Sequence, residues 1–210
     1  MKQYRFIWLV LLLFLTLPAL AGDPDPELTE AREVFLLAVD GDRRAVRDAT
    51  QRFRSLSRAH PREPVYLAYL GASTTLQGRD ASNNLDKRRM TDDGLRDIDR
   101  ALDLLSKGED RASPRYLDTL LVAANSFIHI PSFFNRHDQG RQLLDEILAH
   151  PTFDAMAPGF QAATYLAAAL VAQGERDEEA YRRYLDLTVA TDPEGRNGRF
   201  ASGLIEELSR

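Results

Sequence analysis

The sequence predicts an all-α protein: a right-handed superhelix, or solenoid, of about four helical hairpins plus a C-terminal helix. Three observations predict it. From Glu27 onward, apolar residues recur at three- and four-residue steps and strict alternation is rare. Glycine and proline break this pattern at spacings that suit helices joined by short links. A small-to-large residue spacing recurs on the second helix of successive pairs. Strand signals are missing, since no Asn-Gly or Asp-Gly turn sits between alternating β-branched runs.

Each element follows from its punctuation. A first helix over 28–39 stops at Asp40-Gly41-Asp42, and a second over 43–59 ends before His60-Pro61. The third spans 64–76, with Pro64 suited to a first turn, and stops at Gly78. A fourth covers 85–105 and ends near Lys107-Gly108. Ser113-Pro114, a cap followed by a first-turn proline, opens a fifth that runs to His129. The sixth covers 134–149, the seventh 158–173 with a stop at Gly174, the eighth 176–191 and the last 200–209.

The recurring spacing is a small residue, a large apolar one four later, and an apolar or small one three after that. Its copies are Ala49, Phe53, Leu56; Gly94, Ile98, Ala101; Gly140, Leu144, Ile147; and Ala180, Tyr184, Leu187. Close helix crossing explains it, because the contact point wants little or no side chain and large neighbours fill the groove. Leu70-Gly71 and Ala167-Ala168 sit on the first helices of their pairs, and Ala168 precedes Ala180 by twelve. On these residues the region from Leu28 to Pro193 resembles the tetratricopeptide repeat family. Its repeats are longer than the family's period of about 34, and most copies lack the aromatic near the repeat start. The segment Ile130-Pro131-Ser132-Phe133-Phe134-Asn135-Arg136 is similar to one found in exported bacterial repeat proteins. The resemblance implies a helical-hairpin scaffold and brings no activity with it. The carboxylate-clamping subgroup uses Lys, Asn and Arg on first helices, which here carry mostly Ala, Leu, Thr and Tyr, so that activity is not implied.

The N-terminus is a different polymer. Lys2 and Arg5 precede an apolar run from Phe6 to Leu17, and Ala19-Leu20-Ala21 ends it. A basic start, a short apolar middle and a small-x-small end read as a signal peptide over 1–21, with an uncleaved signal anchor as the alternative; the apolar run is shorter than the about 20 residues a spanning helix needs. Cleavage after Ala21 removes two cations and no acid, moving the formal charge from −5 to −7. Residues 22–27, with two prolines, read as an extended spacer before a helical domain over 28–210. The expected location is the periplasm or outside the cell, with no transmembrane segment after cleavage. The 210 residues include no cysteine, which rules out disulfides and thiolate chemistry. The acidic balance argues against nucleic-acid binding.

The candidate binding residues fall in three places. Phe133 and Phe134 are adjacent, so one helix face cannot bury both; either they fill a gap in a repeat-joining loop, or one anchors a partner beside Asn135 and Arg136. Lys87-Arg88-Arg89 is the only basic triplet, with Asp92 and Asp93 four residues after the two arginines, a spacing for self-pairing. Asn125 lies in an otherwise apolar helix and needs a partner or faces a groove. The four histidines have no metal-pair spacing, and no serine elbow, phosphate loop or His-Glu-x-x-His is present. No catalytic residue, metal or cofactor is expected. The expected function is a non-enzymatic scaffold holding a protein segment or ligand for an envelope assembly or transport complex. A carboxylate-dependent hydrolase and an oligomeric structural protein are the alternatives.

Overall fold

A computed structural model describes residues 25–108 and 111–208, and it is all-α. The expected signal peptide and the first residues of the spacer lie outside the described residues. The helices are α1 (Pro26–Val39), α2 (Arg43–Ala59), α3 (Pro64–Asp80), α4 (Asn84–Lys107), α5 (Pro114–His129), α6 (His137–Leu148), α7 (Pro158–Glu175), α8 (Glu178–Thr191) and α9 (Arg196–Leu208). Two short 3-10 turns, Ser132–Phe134 and Phe153–Ala155, flank α6. No described helix is long and apolar enough to cross a membrane.

The helices start where caps allow. Side chains of Asp25, Asp42, Asn83, Ser113 and Asp177 accept backbone N–H groups at the starts of α1, α2, α4, α5 and α8. Proline occupies the first turn of α1, α3, α5 and α7. The cap on Asp25 corrects the expected spacer: Pro26 and Glu27 are already helical. Two glycines read as stops are passed by their helices. A Cβ on Gly78 would stand 2.6 Å from Thr91 Oγ1 and 2.9 Å from the Lys87 carbonyl oxygen, so this glycine serves a helix crossing and α3 continues to Asp80. α7 passes Gly174 and ends at Glu175, with Arg176 taking the left-handed conformation (φ 61°). α6 begins three residues later than expected, because Asn135 is left-handed (φ 56°) and breaks the chain direction.

Three of the four small residues of the recurring spacing sit at close crossings or in the core. Ala49 is fully buried. A Cβ on Gly94 would lie 2.5 Å from the Gly71 carbonyl oxygen, and one on Gly71 2.5 Å from that of Gly94. Gly140 lets α6 approach Ala124 and Phe127 of α5. Ala180, the fourth, is only half-buried.

Sequential helices pack as neighbours, and α1, α3, α5 and α7 each touch the next in that series. The central helix α3 touches α1, α2, α4 and α5, and it is buried at every position from Val65 to Ser73. Its core around Phe53, Tyr66 and Leu28 is continued by a second cluster around Leu117, Leu144 and Phe153 and by a third under α9. At the periphery, Arg196 of α9 pairs with Asp40 at the end of α1. Gly203 stands in mid-α9, exposed, with no neighbour within 4 Å of a Cβ built on it. Gly203→Ala should therefore raise stability by about 0.5–1 kcal/mol, through helix propensity alone. Thermal unfolding would show a higher midpoint.

Candidate functional site

The segment after α5 is held from several sides. Pro131 cannot continue the helix, and the turn closes through Phe134 N–H to the Pro131 carbonyl (3.1 Å) and Asn135 N–H to that of Ser132 (2.9 Å). Asn135 is a residue type that accepts its left-handed conformation. Arg136 then clamps the turn to α4: Nη1 and Nη2 donate to the two carboxylate oxygens of Asp99 at 2.8 and 2.5 Å, and Nη1 also to Gln139. Its guanidinium lies 5.0 Å over the Phe127 ring. The Asp99 bonds push the Arg136 pKa above its ordinary value. A ring N–H of His137 donates to the Ile130 carbonyl at 2.9 Å.

This arrangement separates the two phenylalanines. Phe134 is half-buried against Leu95, Ile98, Phe127 and Ile130. Phe133 is 66% exposed, its ring 4.5 Å from that of Phe134. One ring is thus packed into the fold and the other faces solvent. Beside them is a cleft of about 420 Å³ lined by Asp92, Leu95, Arg96, Phe134 and Arg136. It presents an apolar floor between cations and one acid, which suits an apolar side chain next to a charged or polar group.

The other candidates fall outside the cleft or at its margin. Arg88 lies one turn before Asp92 and pairs with it at 3.8 Å, as its spacing predicts. Arg89 corrects the expectation: its partner is Asp86 (3.1 Å), while Asp93 pairs with Arg96. Lys87 is exposed. Asn125 is half-buried and donates to the Leu121 carbonyl one turn back (3.1 Å), so it is satisfied within its own helix. His129, His137 and His150 bond locally, and the His60 ring lies tilted, 5.3 Å from that of Tyr66.

A polar cluster between α1, α3 and α5 was not anticipated. Asp25 accepts from the Tyr66 hydroxyl and from Arg115 Nη2 (3.1 Å), and Arg115 also reaches Glu63. Three residues on, Asp118 accepts from the Tyr69 hydroxyl (3.0 Å) and from Arg32 Nη2 (2.5 Å). The same trio of Arg, Asp and Tyr is thus built twice. In the first the N-cap of α1 supplies the acid and α5 the arginine; in the second α5 supplies the acid and α1 the arginine. Each guanidinium lies 5.8 Å over its tyrosine ring. Burial raises the Asp25 pKa, but the Tyr66 bond, the Leu28 N–H and Arg115 outweigh it, and the net shift is downward. The signal available in the sequence was Arg115 and Asp118, opposite charges one turn apart opening an otherwise apolar helix.

The tyrosines give a pH prediction. Burial, then the bond to Asp25, raises Tyr66 to about 12; burial, then Glu146, raises Tyr116 to about 12; burial raises Tyr69 well above its ordinary value. A phenol raised in the fold contributes stability fully below the unfolded value near 10, and loses it as pH climbs through the folded one. Helical circular dichroism should hold to pH 10 and fall between about 10 and 12, together with the rise of phenolate absorbance. Among acids, Asp97 is raised by burial, with Arg100 opposing and Asp93 adding to the rise. It is not among the residues that line the cleft.

Comparison with protein-family models, with curated proteins and with solved structures returns no match for this chain.

Proposed function

We propose that the chain is an exported, tetratricopeptide-like helical scaffold that holds a protein segment through the turn between α5 and α6. It serves an envelope assembly or transport complex and is not an enzyme. The observation that carries this reading is Phe133: a large apolar ring left two-thirds in solvent on a turn fixed by Arg136, Asn135, His137 and Phe134. A pre-ordered aromatic anchor beside a small cleft is the usual form of an interface hot spot, since little ordering entropy remains to be lost. The partner segment would offer an apolar side chain to Phe133 and the cleft floor, and an acid to Arg96 or Arg136.

The solenoid reading is supported by odd-numbered helices that touch in series and by even-numbered helices that touch the following odd one. A right-handed stack of hairpins has these neighbours. Because α3 is buried nearly all round, the partner is received at the rim and not on an open inner groove.

The test is capture from envelope extract by the chain from Gly22 onward, followed by affinity measurement with the purified partner. Phe133→Ala should shift stability by less than about 0.5 kcal/mol, as an exposed site does, and lower affinity at least about tenfold. Equal affinity of the two proteins would remove Phe133 from the interface and this reading with it.

A further inference from the structure

The largest local charge imbalance lies on α2. Arg43, Arg44, Arg47, Arg52, Arg54 and Arg58 are all exposed, against a single acid within the helix, Asp48. The whole chain nevertheless carries a formal charge of −5. On α4, by contrast, Arg88, Arg89, Arg96, Arg100 and Lys107 each lie beside an aspartate one turn away. Among the described residues, the α2 arginine paired with an acid is Arg52, 3.7 Å from Glu30 of α1.

Asp48 stands four residues from Arg44 and from Arg52, but Arg43, Arg47, Arg54 and Arg58 have no acid of α2 at that spacing. Arg43 and Arg47 are four apart, as are Arg54 and Arg58, and like charges at that spacing repel. The first turn contains no acid and two arginines, where the helix dipole disfavours cations; the capping Asp42 and, for Arg43, Asp80 of α3 partly offset them, as Asp97 of α4 does for Arg54. The buried face obeys every rule, with Ala45, Val46, Ala49, Phe53 and Leu56 packed in the core. Local rules broken only on the solvent face point to a role outside the fold.

The chemistry of the partner follows from the face. All six cations are arginine, whose fork grips phosphate oxygens in pairs. Arg43, Arg47, Gln51, Arg54 and Arg58 recur at steps of three and four, a stripe about 22 Å long on a single-helix ridge. A ridge suits a planar anionic surface better than a threaded strand. The one aromatic residue of α2, Phe53, is fully buried, so nothing on this face stacks on bases. Upstream of α2 the sequence carries the apolar run Phe6 to Leu17, of the kind that directs a chain to a bilayer.

We propose that α2 is an electrostatic docking face for a membrane surface rich in anionic phospholipid headgroups. It is independent of the Phe133 site. The test is co-flotation of the chain from Gly22, which keeps every described residue, with vesicles of phosphatidylcholine alone or mixed with phosphatidylglycerol. Binding is expected only with phosphatidylglycerol, and it should fall steeply as added salt screens the exposed charges. Arg43→Gln/Arg47→Gln/Arg54→Gln/Arg58→Gln should lose at least about tenfold in vesicle affinity, with a thermal midpoint unchanged or raised because repulsion is relieved. Lys87→Gln/Arg88→Gln/Arg89→Gln, taken from the self-paired helix, should bind as the parent does, and so should Phe133→Ala. The proposal is overturned by absent binding to phosphatidylglycerol vesicles, by equal binding of the α2 variant, by equal loss in both multiple variants, or by preference for an oligonucleotide at equal phosphate concentration.

Discussion

Gly94→Ala should destabilise the fold by roughly 3 kcal/mol, although alanine is the better helix former. The added Cβ would meet the Gly71 carbonyl oxygen at 2.5 Å, Thr75 Cγ2 at 2.7 Å and Thr75 N at 2.8 Å. Two of these are backbone atoms and cannot rotate away. Relief requires α3 and α4 to separate along their contact, and α3 is held on its other sides by α1, α2 and α5. The propensity gain of about 1 kcal/mol opposes a larger overpacking cost, and the net loss should lower the thermal midpoint by roughly 6–12 °C. Gly71→Ala should behave alike, since the two glycines face each other's carbonyls. The double variant should cost clearly less than the sum, because helices already forced apart admit the second methyl. Strict additivity would mean that the glycines do not share one crossing. Gly203→Ala, which shifts stability in the opposite direction, controls for the residue exchange itself.

The same glycines show what was legible in the sequence. Helix number and order followed from apolar spacing and caps, because both act within a few residues. Helix ends at Gly78 and Gly174 were misplaced, since a glycine that stops a helix and one that admits a neighbour look identical until the neighbour is known. Gly94 and Gly140 were read correctly because large residues followed them at fixed steps. The turn at Phe133 was marked by its proline and paired rings, but its clamp to Asp99 joins residues 37 apart and left no local sign. Arg89 shows the limit within one helix: two aspartates were within reach, and Asp93 is taken by Arg96. The doubled Arg-Asp-Tyr trio was illegible as a unit, since Asp25, Tyr66 and Arg115 are separated by 41 and 90 positions.

That trio carries the second large effect. Asp118→Ala should cost about 3 kcal/mol, read as a lower urea midpoint with an unchanged slope. Asp118 is the carboxylate at which three helices meet: it accepts from Arg32 on α1 and from Tyr69 on α3 while standing on α5. Its side chain is 13% exposed and that of Arg32 25%, so water compensates little when the carboxylate goes. The loss is mainly the cost of a guanidinium and a phenol left without this acceptor, and not the intrinsic value of the pair. Asp118→Asn keeps one acceptor oxygen, for Tyr69, and removes the charge and the acceptor that faces Arg32, so it should lose less than Asp118→Ala. Arg32→Met/Tyr69→Phe/Asp118→Leu removes all three polar groups together and should also lose less than Asp118→Ala. If the triple variant were the worst of the three, the trio would be a net source of stability in itself. Arg88→Ala, which breaks a 3.8 Å pair between exposed side chains, should change stability by under about 0.5 kcal/mol. Burial, more than the count of ion pairs, thus decides where a charge holds this fold together. Hydrogen exchange would locate the effect: in Asp118→Ala the amides of α1 should exchange faster than those of α7 and α8, because α1 loses a tie that those helices never had.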